Sequence, residues 1–407
     1  MARSTSRPKG ARDRTQEARL SGTNLERAGD YNQRVTLQAI RLEGPLTRAD
    51  LAAMTGLTAP TIANITKRLL DENLILEAGK LHGERGQPAM KLAVNPDGCF
   101  SLGMNIDRDH ITLVLLDFAG QVRARATREI DFASPDTVLA FFEAETRRML
   151  EGWELDTKPI LGIGVAMPDD MGSVDLPHRP PEYSAWNHVD VRAMLSPVLS
   201  VPVYVENDAA AAALGELQYG HGLQKPSFFY ILLASGLGGG LVIEGEYFRG
   251  ANGRSGEIGF LPVRSRRTEG RTLQDAVSLS ALYADLEASG FKPAAPEALL
   301  DLPPEGQAII DSWIDRAAEL LAPTLAVVNC VVNPEAVYLG GRLPAAIVAR
   351  LTHALNQRLT KMESVPIMAK VLRAATAEDA PAIGAATLPF IGQLLPSKAT
   401  LRKTAKE

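Results

Sequence analysis

Cysteine is scarce in this chain. Cys99 and Cys330 are the only two among 407 residues, and both stand far apart in apolar surroundings, where small core residues are expected. They supply neither a disulfide framework nor the clustered thiolates of a structural zinc site. The six histidines, His82, His110, His178, His188, His221 and His353, are scattered and none pairs at ligand spacing. No metal or other cofactor is therefore expected. No run of about 18 apolar residues exists, which excludes a membrane-spanning helix, and the opening MARSTSRPKGARDR lacks the apolar core of a secretion signal. A cytoplasmic protein is expected. Hydrophobic residues make up 45% of the chain, ample for packed cores, and its length calls for two or three units.

Charge is unevenly distributed. Residues 1–95 carry 15 Lys and Arg against 10 Asp and Glu, whereas the remainder carries 28 against 38. A basic segment beside an acidic body suits a protein that meets phosphate with one end only. Residues 1–28 hold Arg3, Arg7, Lys9, Arg12 and Arg14 and few apolar positions, as expected of a disordered arm. Such an arm either adds phosphate contacts or solubilises the chain. KATLRKTAKE (residues 396–407 with its flanks) reads as a polar tail.

Within the basic part, TAPTIANITKRLL (58–70) has the marks of a capped helix. The Thr58 hydroxyl can accept from a first-turn amide, and Pro60 sits where a missing N–H costs little. Leu57, Ile62, Ile65 and Leu69 form one apolar stripe, which turns Thr61, Asn64, Lys67 and Arg68 outward. Upstream, Thr47 can cap a short helix over RADLAAMT, and Gly56 permits the turn between the two. A preceding helix over Tyr31–Leu42 completes a three-helix core, while LILEAG and PAMKLAVN fit a two-stranded wing. The segment 29–96 thus reads as a winged helix-turn-helix. Its outward face suits the major groove of operator DNA, with Thr58, Thr61 and Asn64 near bases and Lys67 and Arg68 near phosphates; Arg85 and Gln87 at the wing tip suit the minor groove. A capped amphipathic pair is also ordinary core structure; the wing, the polar face and the charge favour DNA.

After Pro96 the pattern changes to strands alternating with helices, an α/β body with covered sheets. LGMNIDRDHITLVLLD and YILLASGLGGGLVIEG each open on a strand and run into a turn and hairpin, a weak internal two-fold similarity. Asn207 and Asp208 follow a strand, where either could simply cap the next helix. Trp186 fits a stacking wall for a sugar ring or a core position. Arg264, Arg266, Arg267 and Arg271 fit a solvated loop or an acidic partner. The apolar segment 305–332 suits core plus subunit contact, with Pro323 expected to kink or break it.

GLTAPTIANITKRLLDENLI, GIGVAMP, VPVYVENDAAAAALGE, ASGLGGGLVIEGEYFRGANGRSGEIG, NPEAVYLGG and IGAA together resemble the ROK family. That family groups sugar kinases with transcriptional regulators of the N-acetylglucosamine and xylose repressor type. The resemblance spans roughly residues 30–393. It implies an α/β chain in which the winged helix precedes a two-lobed, actin-like (ribonuclease H-like) body at 97–395, with sugar bound between the lobes and dimerisation through the body. It also implies that Asn207, Asp208, Glu257, Glu182 and Gln274 contact the effector, Asp208 standing where the family's kinases have their base.

The departures from the kinase pattern are specific. Asn105-Ile106-Asp107-Arg108-Asp109-His110 replaces the glycine-rich first phosphate loop, Asp169 replaces a glycine, Phe260 replaces a histidine, and RSRRTEGRTLQDAVS replaces the zinc cluster. The resemblance therefore implies a sugar-responsive regulator without catalysis, metal or cofactor, most simply a repressor acting as a homodimer or homotetramer on operator DNA. The alternatives are an ATP-dependent sugar kinase with a fused DNA-binding domain and a regulator controlled by a protein partner.

Overall fold

A computed structural model describes residues 25–81, 89–153, 159–173, 179–263, 272–362, 367–376 and 379–397. The first helix, α1, runs Leu25–Glu43, so the last residues assigned to a disordered arm belong to a helix. Strand β1 (Leu46–Thr47) leads into α2 (Arg48–Thr55). Thr47 caps α2 in a reciprocal box: its hydroxyl accepts from the Asp50 amide and the Asp50 carboxylate accepts from the Thr47 amide. Both donors would otherwise be orphaned. Gly56 ends α2 at φ +70°, a left-handed conformation that glycine adopts without strain. Next come α3 (Ala59–Asp71), β2 (Ile75–Leu81) and β3 (Ala89–Val94). The last two pair antiparallel, and β1 joins β3 on its other side. This is the winged helix-turn-helix.

The body contains two five-stranded sheets of the same design. In the first, β4 (Phe100–Ile106), β5 (His110–Asp117) and β6 (Val122–Glu129) form an antiparallel meander, and β7 (Ile160–Met167) and β8 (Val203–Asn207) add in parallel on the other side of β4. Helices α4 (Pro135–Gly152) and α5 (Val191–Leu195) belong to this lobe, and α6 (Asp208–Tyr219) leaves it. The second repeats the plan with β9 (Phe228–Leu233), β10 (Leu237–Ile243), β11 (Glu246–Tyr247), β12 (Ala336–Gly341) and β13 (Lys370–Arg373). Its helices are α7 (Gln274–Val277), α8 (Leu279–Glu287), α9 (Pro304–Val332) and α10 (Ala345–Leu359), and the final helix α11 (Ala380–Gln393) returns to pack on β4 and β7 of the first lobe. The internal similarity seen in the hairpins is thus a repeat of whole lobes, the actin-like arrangement.

The two lobes meet where α6 crosses α11. Gly384 sits so close to α6 that a Cβ there would fall 1.7 Å from the Ala211 carbonyl oxygen. Ala209–Ala213 are all buried, because only small side chains let two helix backbones approach this closely. The winged unit is docked on the first lobe: Leu37, Ile40, Ile62 and Leu69 share one apolar core with Val114, Leu116, Phe118 and Phe390.

Two expectations change here. Pro323 does not break α9, which runs from Pro304 to Val332; Pro323 is exposed, so the carbonyl it deprives of a partner, on Glu319, lies on or beside a face that water reaches. Cys330 is exposed on the same helix, beside Val327 and Val331 at 63% and 78% exposure, whereas Cys99 is buried as expected.

Candidate DNA-binding helix and effector cleft

The recognition face is built by the cap of α3. Thr58 holds extended backbone angles and its Oγ1 accepts from the Thr61 amide; the two hydroxyls lie 2.8 Å apart. Ile62, Thr66 and Leu69 are buried, while Asn64, Lys67 and Arg68 are exposed and Thr61 is half-buried. Thr66 is held from below by Arg48 Nε at 2.8 Å, which fixes the rotation of the helix. Arg68 is not a free cation: its Nε pairs with Glu72 at 3.0 Å, and Gln33 donates to the same carboxylate. Arg85 and Gln87 lie outside the described residues.

The second site forms between the lobes, at the carboxyl ends of strands. Asn207 caps α6, its Oδ1 accepting from Ala209 and Ala210 amides at 3.0 and 3.1 Å; the structural role weighed for it is real. Its side chain nonetheless lines the cleft together with Asp208, Glu257 and Gln274. These four, which lie up to 67 positions apart in the sequence numbering, are brought together. Glu182 is not: it sits exposed on the short 3-10 turn Pro181–His188 and lines none of the described cavities. The adjacent Tyr183 takes the inward place. Trp186 is buried and donates to the Ala133 carbonyl at 2.9 Å, yet it also lines a cavity of about 450 Å³ that adjoins the cleft through Asp169 and Asn207.

Three residues of the cleft escaped the sequence reading as contacts: Asp107, Asp169 and Arg108. Asp107 Oδ1 accepts from Ser235 Oγ of the opposite lobe at 2.7 Å, both buried. With Asp169, Asp208 and Glu257 it makes the cleft strongly acidic. Burial, reinforced by the Asp107 charge, pushes the Asp208 carboxyl up to about 7. Burial, then Asp169, raises Glu257, and burial raises Asp169 against the opposing pull of Arg254. Carboxylates crowded out of water prefer to share protons or accept from hydroxyls. Asp208 is thus competent as a proton acceptor near neutrality, and the whole set suits a polyhydroxylated ligand.

Where a phosphate would need backbone amides, the turn after β4 is occupied by ion pairs. Arg342, following β12, reaches Asp109 at 3.0 Å and also Glu129. His110 Nδ1 lies 2.7 Å from Asp109, and its Nε2 lies 3.0 Å from the Asn105 side-chain amide nitrogen. Burial alone would raise Asp109, but His110 and Arg342 hold it below the usual carboxylate range.

Residues 101–389 match the ROK family, and residues 30–75 match a winged helix-turn-helix DNA-binding family. The chain belongs to the ROK family. It is 27% identical to the xylose repressor of Bacillus subtilis over 236 residues, 57% of this chain and 60% of that protein. Its fold is shared with a ROK family transcriptional regulator homologous to the Mlc protein of Escherichia coli (TM-score 0.67, 22% identity, 92% of this chain and 99% of that one). A ROK glucokinase from Streptomyces griseus, solved with glucose and AMPPNP, matches the body (TM-score 0.55, 22% identity, 71% and 98%). The first of these two matches covers nearly all of this chain, and the second covers a share the size of the body.

Proposed function

We propose that this ROK protein is a sugar-responsive transcriptional repressor that binds operator DNA as a homodimer or homotetramer in the cytoplasm. The observation that carries the reading is a single one: an exposed Asn64-Lys67-Arg68 face on a capped helix shares its hydrophobic core with the lobe that carries the acidic cleft. Thr58, Thr61 and Asn64 read bases, Lys67 and Arg68 serve phosphates, and Arg85 and Gln87 extend the contact into the minor groove. Asn207, Asp208, Glu257 and Gln274 receive the hydroxyls of the effector. Occupation of the cleft shifts the DNA-binding units only through its differential affinity for two lobe arrangements.

The test is fluorescence anisotropy on DNA from around the protein's own gene, with a panel of sugars and sugar phosphates. A tenfold shift in affinity, about 1.4 kcal/mol, supports the reading and names the ligand. Specific DNA binding that no sugar alters would favour control by a protein partner. The Asp208 carboxyl, raised to about 7, supports a second reading, a kinase fused to a DNA-binding unit. Sugar-dependent ATP turnover by the folded protein would establish it; the ion-paired turn at 107–110 argues against it.

A further inference from the structure

The contacts that cross the cleft differ at its two ends. At one end Arg342 joins Asp109 and Glu129, with its side chain only 12% exposed, and the Ser235–Asp107 hydrogen bond beside it is buried. Arg342 is itself anchored, because its amide donates to the Leu233 carbonyl of the central strand β9 at 3.0 Å. Gly341 before it has φ +125°, and any Cβ there would lie 2.0 Å from the Leu233 oxygen. Little can shift at this end without disturbing the end of the central strand.

The other end is built differently. Arg254 meets Asp169 at 3.5 Å and also Asp170, with side-chain exposures of 46%, 39% and 62%; beside it Arg249, 60% exposed, reaches Glu206, whose side chain is 8% exposed. Arg254 rides on a loop in which Gly253 takes φ +78° with open space around it, and Asp170 is itself held at φ +54°. Exposed ion pairs contribute little, since water competes for both partners; partly buried ones are far less screened. The cavity of about 450 Å³ opens beside Arg254, whereas the inner space between Asp208, Glu257 and Gln274 is about 60 Å³. That inner space has room for a few waters, so a ring that enters from the larger cavity and reaches Asp208, Glu257 and Gln274 together would have to widen it.

We infer that the cleft opens at one end only: Arg342 with Asp109 and Glu129 is the pivot, and Arg254 with Asp169 and Asp170 is the latch beside which the effector passes. The passage of an effector rests on the function proposed above; the unequal mechanics do not. Asp107, Asp109 and His110 present ligand atoms within 4.8 Å of one another, as a cation site would, but Arg342, Ser235 and Asn105 already occupy them. The cluster is therefore part of the pivot.

Hydrogen–deuterium exchange on the full chain tests this without any ligand. Arg254→Gln should raise exchange several-fold at 168–172 and 250–256 and leave 107–112 and 129–132 as protected as in the parent. Arg342→Gln should raise exchange at both ends. Asp109→Asn should reproduce the Arg342→Gln pattern and serves as the second variant should that one misfold. The inference is overturned if Arg254→Gln also loosens 107–112, or if Arg342→Gln and Asp109→Asn leave both ends unchanged. A sugar panel without a binder would sink the effector reading while leaving this exchange map to be decided on its own.

Discussion

Arg41, on the last turn of α1, lies with its guanidinium 5.0 Å from the ring centroid of Tyr219, the final residue of α6. The same guanidinium donates to the Gln218 carbonyl at 3.0 Å and to the Gln218 side chain. Helix α6 therefore begins in the acidic cleft and ends, about 18 Å away at 1.5 Å per residue, against the DNA-binding unit. Burial lowers the Arg41 pKa, with Tyr219 partly opposing. Arg41→Ala should cost about 2–3 kcal/mol of stability through unpaired acceptors and the lost ring contact. Arg41→Lys, which keeps charge but loses the fork, should retain most of the stability and still weaken any response of DNA binding to effector. Thermal melts beside anisotropy separate the two; an unchanged response in Arg41→Lys would show that Arg41 only packs.

On α3 the exposed residues should divide by role. Asn64→Ala should lower discrimination between operator and random DNA by about 1–3 kcal/mol, whereas Lys67→Ala should weaken both alike and reduce the salt slope by about one. Equal losses for Asn64→Ala on both DNAs would refute a base contact.

Glu72 pairs with Arg68, so any contact of the proposed kind between Arg68 and phosphate competes with that pair. Glu72→Gln should release the guanidinium and tighten binding to random DNA, with a steeper dependence on salt. Unchanged affinity would mean that Arg68 reaches DNA while still paired, or not at all.

The raised Asp208 carboxyl sets a pH dependence. Its folded pKa, about 7, lies above the unfolded value near 3.9, so the folded chain binds the extra proton between them. Stability from this group is complete below about pH 4 and is lost as pH rises toward 7, by up to about 4 kcal/mol and less where water reaches the carboxylate. Asp208→Asn should flatten that part of the profile and be the more stable protein at pH 8. Urea midpoints at pH 5 and pH 8 measure it; parallel losses in parent and variant would assign the effect to Glu257 or Asp169.

Glu216 is buried, and among the described residues its partners are neutral donors. It is satisfied by the amides of Ala375, Thr376 and His221 and by the Thr376 hydroxyl. Glu216→Ala should destabilise by roughly 2–4 kcal/mol, because buried donors lose their acceptor. A loss below about 1 kcal/mol would show that water replaces it.

The winged unit was legible because its signals are local: Thr47 with Asp50, Thr58 with Pro60 and the left-handed Gly56 each act within one turn of chain. The alternation of strands and helices after Pro96 was readable in outline for the same reason. The cleft was legible only in part. Asn207, Asp208 and Glu257 sit in stretches that carry the family resemblance, and Gln274 in one that departs from it, but Asp107, Arg108 and Asp169 come from distant turns that only the fold assembles. Glu182 misled because Pro180 and Pro181 start a tight turn that faces outward. Cys330 misled because the last turns of α9, LLAPTLAVVNCVV, carry no charged residue, so periodicity did not say which side was covered.

The near-contact of Gly384 with the Ala211 carbonyl has a genetic consequence. The crossing of α6 and α11 supports the cleft at one end and the docking of α1 at the other, so a side chain added there disturbs both at once. A screen for loss of regulation should recover Gly384 substitutions although the residue meets neither operator nor effector. Alleles that lose only one of the two properties should map elsewhere, on α3 or on the strand ends around Asp208.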